Sequence, residues 1–322
     1  MPYTRASFRG MSLVDMPKVG TMSEMEPDLM PIGAVVAELQ KLHPDLTQSS
    51  LRFLEREGLV EPHRSAGGHR LYSSADVQRI RQIKEWQARR LSLAEIRSLL
   101  EIQQHAHTAP TLRDVVFDLF LQGRTREAQA VILNADEQGT IDLPAMFRDV
   151  ITPMLIDVGL LWEAGKMQVS QEKEISEATR EVIVELSLRH RSRRNHGPVI
   201  VAATVLGELH ELGLRMTCGV LGAAGYHVVF LGANVAAEFL AEAVIRYHPA
   251  IVLLSSGSDQ SFPAVRDAIR SIQGLPLPTM PRILVGGAVA GNHEAELVAW
   301  GAIPVVSNDF QQVTVQIGTL LA

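Results

Sequence analysis

The sequence predicts a multidomain chain: an α-helical front with a small hairpin, a four-helix bundle in the middle, and an α/β rear built on a parallel sheet. Three observations predict it. Its 322 residues exceed what one hydrophobic core normally organises. Apolar residues recur at helical spacing from about position 31 to 190, and from Gly197 onward short apolar runs alternate with amphipathic stretches. Charge is unevenly placed, with 11 Lys/Arg against 8 Asp/Glu over Met30–Leu100 and 16 against 24 from Glu101 onward. A basic front on a chain of net charge −6 suits a polyanion, because cations that neutralise phosphates release counterions.

Composition narrows the classes further. With 46% hydrophobic and 20% charged residues, and no apolar run of the ~20 residues that a membrane span needs, a cytoplasmic protein without a membrane role is expected. Residues 1–29 carry several Met, Pro, Gly and Ser but no apolar core that would drive secretion, and read as a disordered tail. Cys218 is the single cysteine, which excludes a disulfide framework or a multi-thiolate metal site within one chain.

In the front, residues 31–42 form a helix that His43-Pro44-Asp45 breaks. Thr47 caps a second helix over about Gln48–Glu57, with Leu51, Phe53 and Leu54 inward and Gly58 at its end. Leu59–Pro62, the turn Arg64–Gly68 and His69–Tyr72 read as a hairpin. Ser73 or Ser74 caps a third helix with Val77, Ile80, Ile83 and Trp86 on one face, and Ser92 caps a fourth that ends near Leu100. The run RFLEREGLVEPHRSAGGHRLYSSADVQRI, within a front domain at 30–102, resembles the MerR-type DNA-binding domain, a winged helix-turn-helix. The resemblance implies double-stranded operator DNA as partner. It places Ser49, Ser50 and Arg52 near the major groove, and Arg64, Arg70 and Tyr72 of the wing, with His69 beside them, on phosphates.

A polar linker at 103–110 leads into the middle domain, 111–192, with helices at about 111–122, 124–136, 142–164 and 170–190 and an apolar stripe of Val115, Phe117, Leu119 and Phe120. Trp162, Val169 and Glu172 have the order and spacing of the helical cap over cobalamin and resemble it as found in CarH-type photoreceptor regulators and methionine synthase-like corrinoid proteins. Lys173 departs from the CarH-type pattern, which has a histidine there that ligates cobalt after illumination. At neutral pH an ammonium has no lone pair for a metal.

The rear domain, 197–322, reads as strand–helix repeats: PVIVAAT, LGLRMTCGVLGAAG, HVVFLGA, a helix from Ala236, IVLLSSG, a helix, RILVGGA and a short last unit near IPVVS. Such strongly apolar strands make a Rossmann-like parallel sheet with both faces covered, and ligands bind beyond its carboxyl edge. His210 follows the first strand there. One of its nitrogens is free for a metal if the other donates to an acceptor, for which Glu208 or a backbone carbonyl serves. Gly219 and Gly222 lie inside an expected helix, which argues against a dinucleotide turn. Glu208-x-His210-x-x-Gly213, then 41 residues to Ser255, then 28 between Gly257 and Gly286-Gly287, is similar to the pattern of cobalamin-binding domains. The resemblance implies that His210 is the lower cobalt ligand, that Ser255 binds the displaced nucleotide tail, and that Gly213, Gly286 and Gly287 admit it. Glu208 replaces the usual Asp and Gly257 the usual Leu.

Together the parts imply a non-enzymatic, cobalamin-binding transcriptional regulator. A light-responsive repressor carrying adenosylcobalamin is expected, with assembly as a dimer or tetramer that sets DNA binding. The alternatives are a corrinoid methyl-carrier or methyltransferase-like protein, and a MerR-like regulator of another tetrapyrrole.

Overall fold

Three hydroxyl side chains start the front helices. In the computed structural model, which describes residues 29–65, 67–103, 108–193 and 197–321, Thr47 and Ser50 cap each other reciprocally at 3.1 and 2.8 Å. Ser73 with Asp76 (3.2 and 2.8 Å) and Ser92 with Glu95 (3.3 and 2.6 Å) repeat the device. Each box satisfies donors that a helix start leaves open and contributes about 1 kcal/mol. Of the tail expected over residues 1–29, residues 1–28 lie outside the described residues, as do the linker residues 104–107.

The chain folds as two units divided between Arg89 and Arg90. The first holds α1 (Ile32–Leu39), α2 (Gln48–Arg56), α3 (Ser74–Ala88) and an antiparallel sheet of β1 (Met30–Pro31), β2 (His63–Arg64) and β3 (Arg70–Tyr72) in the order β1-β3-β2. The sequence does not announce β1, because Pro31 removes a ladder donor and is tolerated only at an edge. Leu51 and Leu54 are buried, but Phe53 is exposed, contrary to expectation: two residues advance a helix by about 200°, so 53 faces away from 51. Val77, Ile80, Ile83 and Trp86 are all buried.

The second unit begins with α4 (Leu93–Gln103), the helix expected in the front domain; Arg124, just before α6, donates to Ser98 on it at 2.6 Å. The bundle follows: α5 (Ala109–Leu121), α6 (Thr125–Glu137), α7 (Leu143–Ala145), a π turn (Met146–Ile151), α8 (Thr152–Glu163) and α9 (Val169–His190). α5 starts inside the expected linker because Pro110 suits a first turn. Its buried stripe is Leu112, Val116, Leu119 and Phe120, while Val115 and Phe117 are half-buried. The π turn ends two residues before Pro153, whose missing N–H and bulky ring disfavour a regular α turn there.

Beyond it come β4 (Val199–Val205), α10 (Leu212–Ala223), β5 (His227–Val235), α11 (Ala237–Tyr247), β6 (Ile251–Ser255), α12 (Phe262–Gln273), β7 (Arg282–Gly286), α13 (Ala288–Asn292), α14 (Glu294–Ala299), β8 (Ile303–Pro304) and α15 (Phe310–Leu321). The five strands are parallel in the order β5-β4-β6-β7-β8, so the order reverses at β4 and opens a crevice at its carboxyl end. Ile200, Ala202, Ile251, Leu253 and Leu284 cluster with residues of α10 and α15. Ala203, Val205, Val252, Leu254, Ile283 and Val285 cluster with α11 to α14. Each fully buried Val, Leu or Ile contributes about 1.5–3 kcal/mol, so alternation along the strands commits both faces to helices. Gly219 and Gly222 lie within α10, as expected. Among the described residues no helix is long and apolar enough to cross a membrane.

Candidate functional site

Strand register gathers the site. Thr204 pairs with Ser255 and Ser255 with Gly286, so the segments after β4, β6 and β7 leave the sheet at one edge. Between them lies a cleft of about 600 Å³ whose lining includes His210, Gly213, Ser255, Gly257, Gly286 and Gly287.

The loop after β4 is tied down before it reaches His210. Thr204 Oγ1 donates to the Glu208 carbonyl at 2.6 Å and accepts from the Asn234 N–H at 2.9 Å, and Asn234 Oδ1 accepts from the Gly207 N–H at 2.7 Å. Glu208 is buried, with 2% of its surface exposed, whereas the His210 side chain is 91% exposed. One oxygen of Glu208 accepts from the His210 N–H at 2.9 Å and meets Nδ1 at 2.6 Å; the other accepts from the Gly257 N–H at 2.6 Å and from Ser261 Oγ at 3.3 Å. Burial opposes the charge on Glu208, but the N–H groups of His210 and Gly257 and the imidazole outweigh it and hold the carboxyl below its ordinary 4.5. An ionised carboxylate only accepts, so Nδ1 is the donor, and in the neutral imidazole this leaves the lone pair on Nε2, the arrangement a metal-ligating histidine requires. Ser261, 3% exposed and also bonded to Ser256 Oγ at 2.6 Å, was not singled out from sequence; only the fold brings it to Glu208.

The two departures from the expected pattern belong together. A Cβ at Gly257 would stand 3.2 Å from Glu208 Oε2, so the longer carboxylate occupies space that a larger residue at 257 would need. Gly257→Leu is expected to weaken ligand binding by about 1–3 kcal/mol through overpacking, and Glu208→Asp in the same chain to recover most of it. A double-mutant cycle on ligand affinity checks this, and additive losses would count against it.

The helical cap is less closely placed. Trp162, Val169 and Glu172 are not among the residues lining the cleft. Trp162 ends α8, where Lys166 N–H to Leu161 O (2.8 Å) and Gly165 N–H to Trp162 O (2.9 Å) close the helix, and Val169 and Glu172 open α9. Thr152 does line the cleft, and Ile156 and Leu160, one and two turns further along α8, are exposed, as are Trp162 and Val169. Uncovered apolar surface running on from a cleft is a contact surface for a ligand or partner. Glu172 accepts from Ser176 Oγ at 2.8 Å and pairs with exposed Lys173 at 3.2 Å, so that ammonium is directed to a carboxylate.

In the first unit, Ser49 and Arg52 are exposed on α2 while Ser50 is engaged in the Thr47 cap. His69 is exposed in the wing, and Arg64 and Arg70 both reach Glu55. Tyr72 corrects the reading from sequence: it pairs with Met30 across β1 and β3 and is 0% exposed, out of reach of a phosphate. Burial first, and then the Glu55 charge, push its phenol upward.

Comparison with known proteins also separates front from rear, with the front match extending along α4. Residues 31–102 match the family described as MerR HTH family regulatory protein, and 112–186 and 198–309 match two families each described as B12 binding domain. The chain is 30% identical over 277 residues to the HTH-type transcriptional repressor CarH of Myxococcus xanthus, covering 81% of this chain and 90% of that protein. It is 26% identical over 266 residues to the repressor CarA of the same organism, covering 80% and 88%. Among solved structures, the monomethylamine corrinoid protein of Methanosarcina barkeri shares the fold, with a TM-score of 0.56, 17% identity, and coverage of 65% of this chain and 98% of that one.

Proposed function

This chain belongs to the family of MerR-type, CarH-like transcriptional repressors, and on that premise we propose that it is a light-responsive repressor whose assembly and DNA binding are set by adenosylcobalamin. The observation that carries the reading is the Glu208–His210 dyad, which presents an imidazole with a free Nε2 at the mouth of a cleft in a chain that also holds a winged helix-turn-helix. His210 would ligate the cobalt of bound cobalamin through Nε2. Ser255, Gly213, Gly257, Gly286 and Gly287 would receive the nucleotide tail, and Trp162, Val169 and Glu172, which do not line that cleft, would shelter the adenosyl group from the cap beside it. Bound adenosylcobalamin supplies a cobalt–carbon bond that green light breaks. Ser49, Ser50 and Arg52 face the major groove, with Arg64, His69 and Arg70 against the backbone. Two linked reading heads on a two-half-site operator bind about 10²-fold more tightly than one, so the state of assembly becomes the state of repression.

Because Lys173 is paired with Glu172, the response to light proceeds without a second histidine from that position and works through loss of the contacts that the upper group makes. A methyl-carrier role, the alternative, leaves the front unit without a task. Protein reconstituted with adenosylcobalamin in the dark is expected to elute as a dimer or tetramer and to retain operator DNA, and green light to shift elution and weaken retention about 100-fold. An elution profile unchanged by light rejects the photoreceptor reading. DNA binding indifferent to added cobalamin rejects the cobalamin-dependent one, and uptake of a different tetrapyrrole in its place supports the other alternative.

A further inference from the structure

Glu55 is an acidic side chain on α2, the helix read as entering the major groove, where negative charge opposes binding to DNA. Its two oxygens are divided between the strands of the wing: Oε1 accepts from Arg64 Nη2 at 2.6 Å and Oε2 from Arg70 Nε at 2.5 Å. Arg64 and Arg70 are themselves cross-strand partners in the β2–β3 ladder, so one carboxylate gathers both strands onto α2. The Arg70 hydrogen bond, ahead of an opposing effect of burial, holds the Glu55 carboxyl below its ordinary 4.5, and the group stays ionised. The guanidiniums that the wing needs for phosphates are therefore committed to an internal acceptor.

We propose that Glu55 is a positioning residue that withholds Arg64 and Arg70 from arbitrary backbone phosphates, yields them where α2 is seated in its operator, and so sets the affinity and salt dependence of binding to other DNA. The proposal rests on the DNA-binding reading above. On a random duplex α2 has no seat, the phosphates approach at uncorrelated angles, and a pre-formed carboxylate fork competes well for both cations. At the operator, contacts of α2 fix the backbone beside the wing, and phosphates placed within reach of both strands outcompete the carboxylate. The wing therefore makes fewer phosphate contacts on a random duplex than on the operator, and binding to the two differs in salt dependence.

The test uses the full chain and its Glu55→Gln variant, which keeps size and hydrogen-bonding capacity and removes the charge. Binding is measured over a salt series to a random-sequence duplex and to duplexes that the wild-type protein enriches from a random library. Glu55→Gln is expected to bind the random duplex about fivefold more tightly. Its slope of log affinity against log salt should steepen by about 0.9 for each freed arginine, or ~1.8 in all. On the enriched duplex, where the exchange already takes place in the wild type, affinity should rise by at least as much while the slope stays at the wild-type value, because the variant no longer breaks the carboxylate fork. Glu55→Asp, which keeps the charge, is expected to retain the wild-type slope. An unchanged slope on the random duplex overturns the proposal, as does weakening on both duplexes with the slopes intact, which marks a residue that merely holds the wing. Wild-type protein that binds no duplex at low salt overturns the DNA-binding reading itself, and the proposal with it.

Discussion

His210→Ala is expected to abolish histidine ligation of cobalt and to lower cobalamin affinity by about 100-fold or more. Outer partners of metal-bound histidines typically contribute about 10–100-fold, and the ligand itself stands at or above that range. The structure supports an effect of this size because so much is invested in aiming one imidazole: Glu208 is buried and receives four hydrogen bonds, two of them from His210 itself. Glu208→Gln is expected to fall within the ~10–100-fold range, since an amide can meet Nδ1 but removes the charge that fixes which nitrogen carries the proton. The absorption spectra of reconstituted wild-type and variant proteins, with equilibrium uptake, check both. If His210→Ala takes up cobalamin with unchanged affinity and spectrum, the lower-ligand assignment is wrong, whatever becomes of the DNA-binding reading.

The sequence discloses this site for a physical reason. In a parallel sheet the loops that follow neighbouring strands must emerge together, so residues at fixed spacing after apolar strands converge without further information; the register of Thr204, Ser255 and Gly286 delivers that convergence. Helix starts were equally legible, because Thr47, Ser73 and Ser92 act on donors three residues away. What escaped is non-local. Tyr72 reads as a wing residue until β1, 42 positions earlier in its pairing with Met30, covers it. Ser261 reaches Glu208 across 53 residues, and Glu55 meets arginines 9 and 15 residues away. The partnership of Glu208 with Gly257 looks from sequence like two unrelated departures, because the 2.6 Å hydrogen bond from the Gly257 N–H to Glu208 Oε2 has no signature along the chain. Trp162, Val169 and Glu172 show the converse: their spacing is legible, yet spacing on a helix pair does not place them against the cleft.

The glycines of the site separate into two kinds, and substitution should tell them apart. Gly287 has φ +87° and ψ −178°, a region essentially restricted to glycine, and a Cβ there would stand 2.2 Å from the Ser256 carbonyl oxygen. Backbone strain of about 1–3 kcal/mol adds to the displacement of a neighbouring chain. Gly287→Ala should therefore destabilise the second unit by about 4 kcal/mol and lower its melting transition by ~10 °C, losing cobalamin as a consequence. Gly213 is the opposite case. It sits in the first turn of α10 and lines the cleft, and a Cβ there meets no protein atom within 4 Å. Alanine would favour the helix by about 0.5–1 kcal/mol, so nothing in the protein itself asks for glycine there, and the free space is left to the ligand. Gly213→Ala is expected to melt at or slightly above the parent temperature while cobalamin affinity falls. Thermal unfolding of the full chain beside equilibrium uptake distinguishes the two. Equal melting of Gly287→Ala and the parent contradicts the close approach at Ser256, and undiminished uptake by Gly213→Ala means that the ligand does not occupy the space above α10.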